Sequence, residues 1–137
     1  MGPRERLIRY LRSCRGSIFT WGTHDCFTFT NGAFHAMYGA GYADDWVGRY
    51  MNGKRPAGRD ALRREFGYDD FKVALDDRLR RITYTPPLGA LLVTSNARKW
   101  HIGGAMGISN GTKGVFLSRE GMLHLPLDEI DLPWIRP

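Results

Sequence analysis

The chain has 137 residues, 42% of them hydrophobic and 25% charged, enough for one real core and suited to a single domain over residues 1–137, with no repeat or low-complexity stretch. No apolar run approaches the roughly 20 residues of a membrane span, and Met1-Gly2-Pro3-Arg4-Glu5-Arg6 lacks the apolar core of a signal peptide, so synthesis in the cytoplasm with reduced thiols is expected. Twenty Lys and Arg against fourteen Asp and Glu give a net charge of +6, but the arginines are scattered along helices rather than clustered with interleaved aromatics, which counts against nucleic acid as a partner.

Pro3 opens a predicted helix that runs to about Cys14, with Leu7, Ile8 and Leu11 on one face and Gly16 placed to stop it. Residues 18–21 read as a short extended lead into a turn at Gly22, whose missing side chain permits close backbone approach. Asp25 is the predicted N-cap of the next helix, and Cys26 its first residue. A helix N-terminus favours an anion, so this position moves a thiol towards the nucleophilic thiolate. Phe27, Phe34 and Tyr38 recur at helical spacing along this helix, which Gly39-Ala40-Gly41 ends. Gly32 in its interior costs up to about 1 kcal/mol relative to alanine, which suggests close contact with a sheet.

Between Tyr42 and Tyr84 three short helices are expected, over 44–50, 59–66 and 69–80, with breaks at Asn52-Gly53 and 54–58. The last third changes period. Residues 86–94 read as a buried strand, 95–100 as a loop and 102–108 as a second strand turning at Ser109-Asn110-Gly111. A hairpin follows over 115–118 and 122–125, then a helical turn over 126–130 and a closing edge strand over 133–136. Helices over about 1–84 and an antiparallel sheet over about 85–137 make an α+β domain.

Cys14 and Cys26 are the only cysteines, and neither lies in a C-x-x-C or Cys/His pattern, so no structural metal and no cofactor is expected. Cys14 is read as an ordinary helix residue, and Cys26 has the bland alternative of a small buried hydrophobe.

Phe19-Thr20-Trp21-Gly22-Thr23-His24-Asp25-Cys26 resembles the aromatic-Gly-x-x-Asp-Cys signature of NlpC-type papain-like cysteine peptidases, in particular a small branch found in phage and prophage tail modules. The acidic stretch at Asp44-Asp45 followed by Arg49-Tyr50 resembles that branch as well. The resemblance implies a papain-like core with its nucleophile helix packed on the C-terminal sheet. It makes Cys26 the nucleophile and sets Trp21, Gly22 and Asp25 in the wall of the substrate site. It further implies a peptidoglycan stem-peptide substrate, other tail-tip or hub proteins as partners, and an eventual place in the virion tail.

A cysteine peptidase needs an imidazole beside its sulfur, and here the chain departs from the family. Aligning Ala105-Met106-Gly107-Ile108 with the family's His-Val-Gly-Ile-like strand puts Ala105 at the histidine position. Ala90 replaces an aspartate, and the orienting residue falls near Leu117 or Ser118. His101 is the leading substitute base, although four residues from Ala105 is about 13 Å along a strand. His24 is the second candidate, with turn stabilisation as its alternative role. His35 and His124 are read as core or surface residues. Two functions follow: a thiol hydrolase that cuts peptidoglycan peptide bonds, or a catalytically degenerate tail component that binds other tail proteins.

Overall fold

The computed structural model describes residues 1–68, 70–94 and 105–137, and it is α+β. Helix α1 covers Pro3–Ser13, α2 Cys26–Tyr38, α3 Arg59–Phe66 and α4 Phe71–Arg78. Strands β1 (Met51–Asn52) and β2 (Arg55–Pro56) form a small hairpin. The main sheet is built from β3 (Arg80–Arg81), β4 (Leu91–Thr94), β5 (Ala105–Ser109), β6 (Lys113–Ser118), β7 (Gly121–Pro126) and β8 (Leu132–Ile135). Its order is β3-β8-β4-β5-β6-β7, and every pairing is antiparallel.

Helix α2 is the centre of the molecule. Eight of its thirteen residues are buried, more than the apolar stripe its sequence suggests, because α1, β5, β6 and the segment after the helix enclose it. A helix packed against on several sides buries more than one stripe. Helix α1 docks through Leu7, which is fully buried, and through Tyr10, whose ring stacks on Phe29 and whose hydroxyl donates to the Phe29 carbonyl at 2.7 Å. Arg6 donates from Nε to the Ala36 carbonyl at 2.8 Å and from Nη2 to that of Met37 at 2.5 Å. Those carbonyls lie in the last turn of α2, where no intrahelical donor remains, so α1 supplies a cationic cap. A Cβ at Gly32 would lie 2.4 Å from the Tyr10 hydroxyl. The close contact expected of this glycine is therefore with α1, not with the sheet.

Both faces of the sheet are covered. Leu91, Val93, Met106, Ile108, Val115, Leu117 and Trp134 belong to the large core shared with the helices. Ala90, Leu92, Ala105 and Phe116 lie in a smaller cluster on the other face, together with Leu123, Leu125, Ile130 and Ile135. This explains why Leu91-Leu92-Val93 is uninterrupted by polar residues: alternate side chains enter different apolar layers.

Several expected boundaries shift. The helix expected over 44–50 is only a 3-10 turn at Asp44–Trp46, because Val47 is extended at ψ 124° and Gly48 has φ +78°. The expected break after it contains the β1–β2 hairpin. The strand expected over 86–94 begins at Leu91, since Gly89 at φ +92° turns the chain just before it. The closing strand is not an edge: β8 lies between β3 and β4, and β3 and β7 are the outer strands. The main sheet therefore begins at Arg80, earlier than the expected boundary near residue 85. The hairpin of β6 and β7 falls where expected, with Ser118 paired to Gly121 across its turn. The loop at 95–100 and the first three residues of the strand expected over 102–108 lie outside the described residues.

Candidate functional site

Asp25 is the N-cap of α2 and Cys26 its first residue. The cap is reciprocal: Thr28 N–H donates to Asp25 Oδ1 at 2.9 Å, while Asp25 N–H donates to Thr28 Oγ1 at 2.8 Å. This is the capping box, which satisfies two donors that would otherwise lack partners. Asp25 is 0% exposed, so its second oxygen needs partners of its own. Gly22 N–H supplies one at 2.8 Å, and the Tyr50 hydroxyl supplies the other through a short hydrogen bond. Gly22 can donate there because its φ of +89°, costly for residues with a Cβ, bends the chain back on itself. Thr20 and His24 close the same turn by exchanging backbone hydrogen bonds of 2.9 and 2.8 Å. The turn, the helix start and Tyr50 thus converge on one buried carboxylate.

The thiol beside it is in a different state from the one its helix position suggests. Cys26 is 6% exposed, and its pKa is pushed up to about 12, first by burial and then by the Asp25 carboxylate. Hydrogen bonds from the backbone of Met106, Phe27 and Cys26 itself pull the other way without reversing the shift. The expected dipole effect is thus outweighed, because removing a thiolate from water costs more than a helix start returns. At neutral pH Cys26 is a protonated thiol.

The residue that β5 brings to Cys26 is Met106. Met106 and Ile108 point into the helical core, whereas Ala105 packs with Leu92 and Phe116 on the opposite face. The strand alignment in the sequence analysis assigned Ala105 to the catalytic histidine position, and the register corrects this. An interior, thioether-lined environment continues beyond the thiol. The Tyr42 hydroxyl lies 2.8 Å from Thr30 Oγ1 and 3.4 Å from Met106 Sδ, and Thr30 Oγ1 donates to the Cys26 carbonyl at 2.9 Å. Burial raises the pKa of Tyr42 and of Tyr50, so both remain phenols. Around the next residue, Phe27, the rings of Tyr42, Trp46 and Tyr50 stand 5.5–6.0 Å away.

Among the described residues, no histidine hydrogen-bonds to Cys26. His24 is exposed and lines a cleft of about 280 Å³ with Tyr10, Cys14 and Thr28. Its backbone performs the turn-closing role. His35 Nε2 pairs with Asp44 Oδ1 at 2.7 Å, nine residues along the helix from Cys26, which is roughly 13 Å of helix axis. Asp44 also accepts from Asn31 at 2.8 Å and from Gly41 N–H at 3.1 Å, so this cluster fastens the segment after α2. Those hydrogen bonds, Asn31's foremost, hold the Asp44 carboxyl below its usual range. His124 is exposed on β7. His101 lies outside the described residues.

Of the expected wall residues, Asp25 and Gly22 serve the cap. Trp21 packs edge-on against Phe19 at 5.0 Å, and its buried Nε1 has no hydrogen-bond partner among the described residues. Sequence reasoning missed the roles of Tyr50 and of Met106. The only signal for Tyr50 was its place in the Arg49-Tyr50 pair. Arg49 itself turns away to Glu65 at 2.7 Å.

Among the described residues, no three His, Cys, Asp or Glu side chains are grouped to hold a metal ion, and no helix is long and apolar enough to cross a membrane. No curated protein and no solved structure matches the chain. A profile described as a domain of unknown function (DUF6950) matches residues 2–135, and the chain therefore belongs to that family.

Proposed function

We propose that this chain is a structural component of a phage or prophage-like tail tip, with a papain-like, NlpC-type core whose thiol has become part of the interior. One observation carries the second half of this reading: Cys26 is buried and protonated, with the backbone of Met106 on β5 beside its sulfur. A thiol hydrolase needs a thiolate and an adjacent imidazole, and the described residues supply neither. The tail assignment rests on the Trp21-Gly22-Thr23-His24-Asp25-Cys26 motif and on Arg49-Tyr50. In this reading the capped turn remains because it is structural: Asp25 joins α2, the Gly22 turn and Tyr50.

The thiol-hydrolase reading has one specific observation in its favour. Cys26 does occupy the first position of a capped helix, where backbone N–H groups can stabilise an oxyanion. In that reading Cys26 attacks a peptidoglycan peptide carbonyl, and a histidine, His101 first, carries the proton. The two readings separate in a digestion of purified peptidoglycan read by new amino termini, together with mass spectrometry of purified tail particles. The structural reading expects the chain in particles and no release above a Cys26→Ala control. Cys26-dependent release would overturn the structural reading in favour of the hydrolase, and absence from particles would overturn the tail assignment.

A further inference from the structure

On the side of α1 away from Arg6, Ile8, Leu11, Arg12 and Arg15 fall at i, i+3, i+4 and i+7, one face of a helix continued past its end. With Val115 and Met122 of the β6–β7 hairpin they line a cleft of about 290 Å³. The cleft has an apolar floor and a cationic rim. Arg12 and Arg15 are exposed, their side chains make no ion pair or hydrogen bond among the described residues, and no acidic side chain lines the cleft. His124 adds an imidazole on the hairpin side. Elsewhere on the surface, Arg49, Arg78 and Arg81 pair with carboxylates. The dipole of α1 accounts for one arginine in its last turn, but not for a second one beside it over the half-buried side chains of Ile8, Leu11 and Met122.

We propose that this cleft binds an acidic peptide segment of a partner protein, in which apolar side chains are spaced among carboxylates. Arg12 and Arg15 take the carboxylates through charge-assisted hydrogen bonds, and the half-buried side chains of Ile8, Leu11 and Met122 take the apolar side chains. Met122 can refill such a floor without strain. A nucleic acid offers the charge but has no aliphatic side chains for this floor, which is why a protein segment fits better. The proposal is independent of the state of Cys26.

The test is fluorescence anisotropy on the full chain, with a fluorescein-labelled octapeptide of six glutamates and two leucines placed four apart. Octaglutamate and an eight-nucleotide oligo-dT serve as competitors. The mixed peptide is expected to bind about tenfold more tightly than either competitor, a difference of about 1.4 kcal/mol. The double variant Arg12→Glu, Arg15→Glu is expected to lose at least that factor while keeping its circular dichroism and melting temperature. Met122→Ser is expected to weaken the mixed peptide while leaving octaglutamate unchanged. Equal binding of the three probes, unaltered binding by the double variant, or absence of saturable binding would each overturn the proposal.

Discussion

Removing one oxygen atom from Tyr50 tests how the Asp25 junction is held. Tyr50 is fully buried and its hydroxyl donates to Asp25 Oδ2, which also accepts from Gly22 N–H. Tyr50→Phe leaves the ring beside Phe27 in place and deprives a buried carboxylate of one donor. Hydrogen bonds to charged groups contribute about 1.5–3 kcal/mol, and a buried carboxylate oxygen that loses one of its two donors cannot turn to water for another. At roughly 2.1 cal/mol/K of unfolding entropy per residue, this corresponds to a fall in melting temperature of about 5–10 °C. The molecule contains its own control: the Tyr68 hydroxyl donates to Asp77 Oδ2 at 2.6 Å, but both groups are exposed. Tyr68→Phe is expected to change stability by less than about 0.5 kcal/mol. Urea unfolding of both variants gives the comparison. Equal, small losses in the two would refute the argument that burial makes Asp25 depend on Tyr50.

Stability should depend on pH through Cys26, with a definite sign. The folded pKa of about 12 exceeds the ordinary 9.0, so above pH 9 the unfolded chain loses a proton that the folded one keeps. The contribution is complete below pH 9 and declines as pH rises towards 12, with a slope of up to about 1.4 kcal/mol per unit. The stability difference between the wild type and Cys26→Ala, measured at pH 8 and at pH 10, should move by that sign, and a constant difference would contradict it. Gly32→Ala should destabilise while Tyr10 keeps its hydroxyl and do so less in a Tyr10→Phe background, because the added Cβ meets that oxygen at 2.4 Å. A double-mutant cycle without coupling would refute this contact. Arg6→Met should cost about 1–2 kcal/mol by releasing the Ala36 and Met37 carbonyls. Hydrogen exchange no faster at the end of α2 would refute the capping role.

What could be read from sequence was mostly local. The cap at Asp25, the start of α2 at Cys26 and the β6–β7 turn each depend on residues within a few positions of one another. The end of the helical reading at Val47 was missed because Asp44-Asp45-Trp46 has the polarity of a helix start and Gly48 follows too late to warn of it. Non-local features were hidden: β8 enters between β3 and β4, and Tyr50 reaches a carboxylate twenty-five residues away. The assignment of Ala105 failed by one residue of strand period, which exchanges the two faces of a sheet. The same limit applies to the thiol, whose helix position is local but whose burial is a property of the whole fold.

The most direct measurement is the pH dependence of alkylation of Cys26 by iodoacetamide in the folded chain, with Cys14→Ser removing the second thiol. The account predicts slow labelling at neutral pH that rises only above the ordinary thiol range, and rapid labelling once the chain is unfolded in urea. Rapid labelling of the folded chain at pH 6–7 would mean an exposed, activated thiolate, and would contradict the claim that Cys26 has become part of the core.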